Sequence, residues 1–157
     1  MDLLPMKKDK GFTLLEMLVV VAIIGIVSAI AVPNMFSFAA GMRLRSASRD
    51  LYSNFQMARI KAIRLNTRLA IRFTTSGYQV ENCGVDNNCT ATTDNTIVKT
   101  VNMSQEYPGV SIAGKTSTLV EFNSEGTSTA GTTTLTNSKG TSSVVAVALS
   151  GRIKITP

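Results

Sequence analysis

The 157-residue chain contains no histidine and no tryptophan, and it has only two cysteines and four prolines. Without histidine the commonest general base near neutral pH is missing, which makes acid–base catalysis a poor starting assumption. No P-loop, dinucleotide fingerprint or nucleophile elbow is present, and no two carboxylates form an acid–base constellation. The serines are plentiful, but none has an identifiable base beside it. The expectation is therefore a chain with no catalytic residue, no cofactor and no metal, and not an enzyme. Charge is scarce in a more specific way: residues 17–42 hold no charged side chain at all.

That uncharged run organises the rest. An apolar stretch of about 20 residues is long enough to cross a hydrocarbon core as a helix. Lys7, Lys8 and Lys10 precede it and would hold that end in the cytoplasm. One carboxylate, Glu16, sits about a turn inside the run. An ionisable group at the centre of a membrane helix costs about 2.5–3.5 kcal/mol, so it calls for a reason. Either Glu16 snorkels to the headgroups, or it pairs with a positive group at the same depth on a neighbouring subunit. A competing reading takes Ala29-Ile30-Ala31 as an A-x-A signal-peptidase site that would release a soluble protein. The length of the apolar region and the presence of Glu16 argue against it. Residues 1–5 add nothing recognisable, and Met6 is an alternative start.

The net charge of +6 is unevenly placed. Residues 43–72 carry seven arginines, Lys61 and only Asp50, a net of +7, whereas residues 73–157 carry five basic and six acidic groups, a net of −1. Attraction to anionic lipid together with a solvated helix face is the favoured account of the basic segment, with nucleic-acid contact as the sharper one.

Helical periodicity continues past the apolar run. Leu44, Ala47, Leu51, Phe55, Ala58, Ala62 and Leu65 recur at spacings of three and four and form one face. Packing of that face on a sheet in the same chain is favoured over a coiled-coil seam. Asp50 and Asn54 add little to it. Pro33 predicts a kink or local unwinding between Gly25 and Pro33, with Gly41 as a second weak point. Asn66-Thr67 ends the helix. The period then changes to two. Strands are expected at 69–73, 78–83, 97–103, 110–113, 119–123, 132–137, 144–149 and 153–155, separated by glycine-containing turns. Residues 124–131 read as a mobile loop. The fold class is α+β: a long N-terminal helix, its first half membrane-spanning, packed on a C-terminal antiparallel β domain of one or two sheets.

Cys83 and Cys89 lie on the non-cytoplasmic side of that topology, where disulfides persist, so a bridge is expected. Two thiols with no histidine make a poor zinc set. Asp86, Asn87, Asn88, Asp94 and Asn95 offer oxygens to calcium but not at EF-hand spacing. Two Asn-x-Ser/Thr matches, at Asn88 and Asn102, are taken as chance. Arg152 and Lys154 share one side of a terminal strand, opposite Ile153 and Ile155. The plain account is an edge strand with its charges outward.

The segment Lys10-Gly11-Phe12-Thr13-Leu14-Leu15-Glu16 resembles the processing site of type IV pilins and of the pseudopilins of type II secretion. The resemblance implies prepilin peptidase cleavage between Gly11 and Phe12, N-methylation of the new Phe12 amine, and an assembly role for Glu16 against the terminal amine of an adjacent subunit. Pro33 matches a helix-kinking proline of that family. The middle segment, with Ala58-Arg59 and Ala62-Ile63-Arg64-Leu65-Asn66-Thr67, and the closing Gly151-Arg152-Ile153-Lys154 resemble the GspH/FimT minor pilins, and the likeness is weakest from about 83 to 117. It implies a pilin fold divided into a leader (1–11), a transmembrane or filament-core helix (12–40), an amphipathic continuation (41–66) and a periplasmic β domain (67–157). It further implies a single-pass protein of the bacterial inner membrane whose partners are other pilin or pseudopilin subunits, the prepilin peptidase and an inner-membrane assembly platform. The expected role is that of a minor pseudopilin of type II secretion; the alternative is a FimT-like minor type IV pilin serving pilus assembly or DNA uptake. Some FimT-like pilins bind DNA through a terminal Gly-Arg-x-Arg. Here Lys154 replaces the last arginine and loses its planar fork, so DNA is not the favoured partner.

Overall fold

A computed structural model describes residues 11–90 and 94–156. The flanking Lys7, Lys8 and Lys10, the two candidate start methionines and all of the expected leader except Gly11 lie outside the described residues. The elements run α1 (Leu14–Leu65), β1 (Leu69–Phe73), β2 (Gly77–Asn82), β3 (Thr96–Asn102), α2 (Met103–Glu106), β4 (Val110–Lys115), β5 (Leu119–Phe122), β6 (Gly131–Asn137), β7 (Ser142–Val147) and β8 (Ile153–Thr156). The chain divides into two compact units, one ending at Phe36 and one beginning at Ser37.

The first unit contributes the N-terminal part of α1. Its large apolar side chains, among them Phe12, Leu15, Val21, Ile26 and Ile30, are exposed, and α1 is long and apolar enough to cross a membrane. The unwinding expected around Pro33 does not occur, since Pro33 lies inside an unbroken helix. A proline removes only one rung of the ladder, here the bond to the Ala29 carbonyl, and the turns on either side keep their helical form.

In the second unit the predicted apolar face of α1 is buried from Leu44 to Ala62. Leu65 was expected to continue that face and is instead exposed. The reason is the helix end. Asn66 adopts a left-handed conformation, φ 50°; its N–H donates to the Ile63 carbonyl, and the Thr67 N–H donates to that of Ala62. This pair of bonds is a Schellman cap; it ends α1 at Leu65, which is the last helical residue and lies past the buried stretch.

Two antiparallel four-stranded sheets pack against the helix, in the orders β3-β2-β1-β5 and β4-β6-β7-β8. Leu69, Ile71 and Phe73 of β1 alternate into the main core, as period two requires. Phe55 of α1 lies at the centre, with ring centroids 6.5 Å from Phe73 and 6.1 Å from Phe122. The second sheet adds Leu135, Val145, Val147 and Ile153. Strand bounds shift from expectation where local hydrogen bonds intervene. Met103 leaves β3 for α2 because the Asn102 side chain caps that helix by accepting from the Ser104 N–H. β7 stops at Val147 because Ala148 to Arg152 form a turn closed by the Ala148 N–H to the Arg152 carbonyl and the Gly151 N–H to the Ala148 carbonyl.

Asp50 and Asn54 carry more than the sequence suggested. The Tyr78 hydroxyl donates to Asp50 Oδ2 at 2.7 Å. Asn54 Nδ2 donates to the same oxygen at 3.0 Å and to Tyr78 Oη at 2.8 Å. Lys99 Nζ reaches Asp50 Oδ1 at 3.3 Å and Asn54 Oδ1 at 3.1 Å. The cluster ties α1 to β2 and β3. Burial, reinforced by the hydrogen-bonded Asp50 carboxylate, pushes the Tyr78 phenol well above its usual range.

A tyrosine whose folded pKa is raised contributes stability that is complete below the unfolded value and lost as pH climbs toward the folded one. Stability should therefore decline above about pH 10, where the unfolded phenol ionises. Tyr78→Phe should cost about 1–3 kcal/mol at neutral pH, since it removes a hydrogen bond to a charged group, and should flatten the alkaline decline. Denaturant unfolding at pH 8 and pH 11 measures both effects.

Candidate assembly and recognition sites

The residues singled out by sequence form three separate groups. The first is the start of α1. Gly11, Phe12 and Thr13 precede the helix. The Glu16 N–H donates to Thr13 Oγ1 at 3.2 Å and the Met17 N–H to the Thr13 carbonyl at 3.2 Å. Thr13 is thus the N-cap, and Thr13-Leu14-Leu15-Glu16 has the spacing of a capping box. This cap escaped the sequence reading, although the Thr-x-x-Glu pattern before an apolar run is its signal. Glu16 lies in the first turn, where the positive end of the helix dipole favours a carboxylate. The Gly11–Phe12 peptide bond lies outside the helix on exposed residues, and apart from the adjacent residues no atom of the described residues stands within 4 Å of where a Gly11 Cβ would be. Exposed, non-helical backbone of this kind can enter a protease; helical backbone cannot without unwinding.

The second group is the start of β8. Arg152 and Lys154 are exposed and Ile153 is buried, so the alternation follows the expected pattern. β8 is an edge strand that pairs only with β7, with Lys154 opposite Ala146. Gly151 has φ +74°, and a Cβ there would collide with the Gly126 carbonyl. Arg59 of α1 donates from Nε to that same carbonyl at 2.9 Å. The helix, the turn holding Gly126 and the entry to β8 therefore meet at one oxygen. The stretch 124–131, expected to be a mobile loop, is tied down throughout. Asn123 N–H donates to the Thr127 carbonyl, Ser128 N–H to that of Leu149 and Thr129 N–H to that of Glu121, and Ser128 Oγ donates to the Ala148 carbonyl at 2.7 Å.

The third group is the Cys83–Cys89 loop. The two cysteines are bridged, with Cα atoms 4.6 Å apart, and are buried with Ala70 and Leu119 on the face of the first sheet that points away from the main core. Glu81 is buried beside them, at 4% exposure. Arg72 Nε donates to both of its oxygens, at 2.9 and 3.1 Å, and Arg72 Nη2 donates to the Cys89 carbonyl at 2.6 Å. A buried carboxylate so paired is tolerated; unpaired it would be costly. Four of the oxygens weighed for calcium are engaged by neighbouring donors, whereas Asn95 Oδ1 is buried with no hydrogen-bond partner among the described residues. Asp94 Oδ2 accepts from the Val85 N–H, Asp86 Oδ1 from Asn88, Asn87 Oδ1 from Arg68, and Asn88 Oδ1 from Thr90. Among the described residues no group of three or more His, Cys, Asp or Glu side chains is placed to hold a metal ion.

Comparison with known proteins bears on both ends of the chain. Residues 47–151 match the family described as "Type II transport protein GspH", and residues 6–32 match the "Prokaryotic N-terminal methylation motif". Curated relatives align only at one stretch. The type IV major pilin protein PilA of Myxococcus xanthus is 48% identical over 44 residues, 28% of this chain and 20% of that protein. A fimbrial protein of Pseudomonas aeruginosa is 50% identical over 46 residues, 29% of this chain and 30% of that one. The aligned part thus spans a third or less of these relatives. Solved structures share the fold at low identity. GspH of E. coli superposes with a TM-score of 0.57 at 15% identity, over 75% of this chain and 90% of that one. The minor pilin FimU of Pseudomonas aeruginosa gives 0.53 at 17%, over 76% and 92%. The minor pseudopilin EpsH of Vibrio cholerae gives 0.51 at 13%, over 73% and 96%.

The glycine of the closing Gly-Arg segment is required by packing whatever the arginine does. Gly151→Ala should destabilise the β unit by at least about 1–3 kcal/mol through its left-handed backbone alone, with the Gly126 clash added. Arg152→Ala, at an exposed site, should shift stability by no more than about 0.5 kcal/mol. Thermal unfolding of the two variants beside the parent chain checks the contrast.

Proposed function

This chain belongs to the GspH family of type II transport proteins, and from that premise we propose that it is a minor pseudopilin of a type II secretion system. In this reading the leader 1–11 is removed between Gly11 and Phe12 by the prepilin peptidase, and the new Phe12 amine is N-methylated. Helix 12–40 anchors the chain in the inner membrane in a single pass and later enters the filament core. Its continuation 41–66 carries the β domain, 67–157, on the periplasmic side. The inner-membrane assembly platform then moves the subunit into a short periplasmic filament with other pilin or pseudopilin subunits. The work is assembly, not catalysis.

The observation that carries the reading is an exposed apolar helix whose first turn holds one carboxylate, Glu16, with no ion-pair partner among the described residues. A neighbour's N-terminal amine is a partner of the right charge. Each ion alone is expensive in a low-dielectric layer, and the two together are less so. Thr13 supports the arrangement, since its cap fixes the first turn and so the place of Glu16 one turn below the new terminus. Breaking a buried pair by removing one partner costs about 3–5 kcal/mol. Glu16→Ala should therefore leave membrane insertion intact and lower filament incorporation by more than an order of magnitude, as read by crosslinking to neighbouring subunits. Normal incorporation of this variant would falsify the pairing.

The exposed Arg152 and Lys154 favour one second reading, a FimT-like minor type IV pilin that contacts DNA. Under the secretion reading the full chain in detergent binds DNA no better than Arg152→Ala/Lys154→Ala does. Binding by the parent that falls with salt, with a slope reduced by about 1 for each contact removed, would transfer the chain to the pilus reading.

A further inference from the structure

A groove of about 520 Å³ opens between α1 and the end of the second sheet, lined by Leu44, Arg45, Arg49, Thr141, Ser142 and Ile155 among others. Its volume lies in the range of small-molecule sites. Arg45 and Arg49 stand four residues apart on α1, one turn above the other on the same face. Neither makes an ion pair or side-chain hydrogen bond among the described residues. Among the described residues no carboxylate lines the groove. Asp50, the only acid between residues 43 and 72, is held in the network with Tyr78, Asn54 and Lys99 and so is not free to neutralise Arg49. Two adjacent guanidinium groups without a partner fit a phosphate, which they can grip through paired N–H donors. The opposite wall supplies hydroxyls. Thr141 Oγ1 has no hydrogen-bond partner among the described residues, Ser142 Oγ shares a bond with Thr136 Oγ1, and Ser143 Oγ donates to the Thr156 carbonyl.

We propose that this groove seats the headgroup of an anionic phospholipid, its phosphate on Arg45 and Arg49, its glycerol hydroxyls toward Thr141 and Ser142, and its acyl junction on Leu44 and Ile155. The apolar lining selects a lipid over a free anion, for which Leu44 and Ile155 would offer nothing. Position in the chain points the same way. Arg43 is the first charge after the uncharged run 17–42, and its guanidinium donates to the Pro108 carbonyl. Arg45 and Arg49 are therefore the first unengaged charges to follow the apolar segment. The inference rests on the membrane-anchored reading and adds to it a specific lipid contact by the folded domain.

The test is native mass spectrometry of the full chain in detergent, titrated with dioleoylphosphatidylglycerol or dioleoylphosphatidylcholine. One phosphatidylglycerol should be retained in preference to phosphatidylcholine. Arg45→Gln/Arg49→Gln should weaken that retention by about fivefold for each arginine lost, whereas Arg64→Gln/Lys154→Gln, with the same loss of charge elsewhere, should leave it unchanged. Equal retention of the two lipids overturns the proposal. So does an equal effect of the control pair, or displacement of the lipid by millimolar inorganic phosphate. If the glutamine pair alters the unfolding transition, Arg45→Lys/Arg49→Lys decides: reduced retention supports the bidentate grip, and full retention overturns it. Resistance to carbonate extraction from membranes is scored in parallel. Its loss in the parent chain sinks the anchor reading, while lost lipid preference with extraction resistance intact sinks the groove alone.

Discussion

The burial of one face of α1 against two sheets is the constraint on which the second unit depends. Leu44, Ala47, Leu51, Phe55, Ala58 and Ala62 are all buried there. Each large apolar side chain so placed is worth about 1.5–3 kcal/mol, and the inner residues of both sheets join the same core, with Met103 of α2 among them. Apolar burial alone would accept a helix shifted by a turn, because a stripe at spacings of three and four nearly repeats itself. The polar cluster removes that freedom. Asp50, Asn54, Tyr78 and Lys99 satisfy one another only in the observed register; one turn out, a carboxylate and an amide would lose their partners. Leaving a buried polar group unsatisfied costs about 1–3 kcal/mol, and more when it is charged. Packing supplies the stability, and the polar cluster selects the alignment.

The two units obey opposite rules. From Leu44 to Ala62 the helix buries one apolar face, while Phe38, Met42, Ile60, Ile63 and Leu65 of the second unit's helix stay exposed, and none of its charged residues is buried. Before Phe36 it shows apolar side chains and has no charge beyond Glu16. Such a surface persists in lipid or among other apolar helices, where every backbone group is already bonded within the helix. It would not persist in water, where exposed patches of that size drive association. The single carboxylate is admitted only where a cap and a dipole favour it and where a cation can approach.

Local patterns carried most of the fold. Period three to four marked the buried face of α1, period two marked β1 and β6, and Asn66 announced the cap. What sequence inspection missed depends on contacts with distant parts of the chain or on short side-chain bonds. Asp50 and Asn54 look like ordinary solvated helix residues until Tyr78 and Lys99 are placed opposite them. Arg59 meets a carbonyl 67 residues away, and nothing in its neighbourhood says which one. Gly151 reads as a turn glycine, but its lack of a side chain also answers to Gly126 across the fold. Two misses were legible in hindsight. Thr13-x-x-Glu16 is a cap, and Asn102-Met103-Ser104, dismissed as a chance glycosylation match, is an asparagine that caps α2. Both are local hydrogen-bond motifs that competed with a stronger reading of the same residues.

The basic segment 43–72 shows why net charge is a poor guide to partners until the fold is known. Its balance of +7 suggests one electrostatic surface. Four of its eight cations have internal tasks. Arg43 holds the Pro108 carbonyl, Arg59 that of Gly126, and Arg72 the buried Glu81, while Arg68 lies 3.9 Å from Glu121. An arginine fixed by a carbonyl keeps its charge but loses donors and freedom, so it is poorly placed to grip an external phosphate. The unengaged cations are fewer, and two of them, Arg45 and Arg49, share one groove with an apolar floor. A diffuse attraction to any polyanion would fall steadily as cations are removed from any part of the segment. Attraction concentrated in a built groove depends instead on which cations are removed.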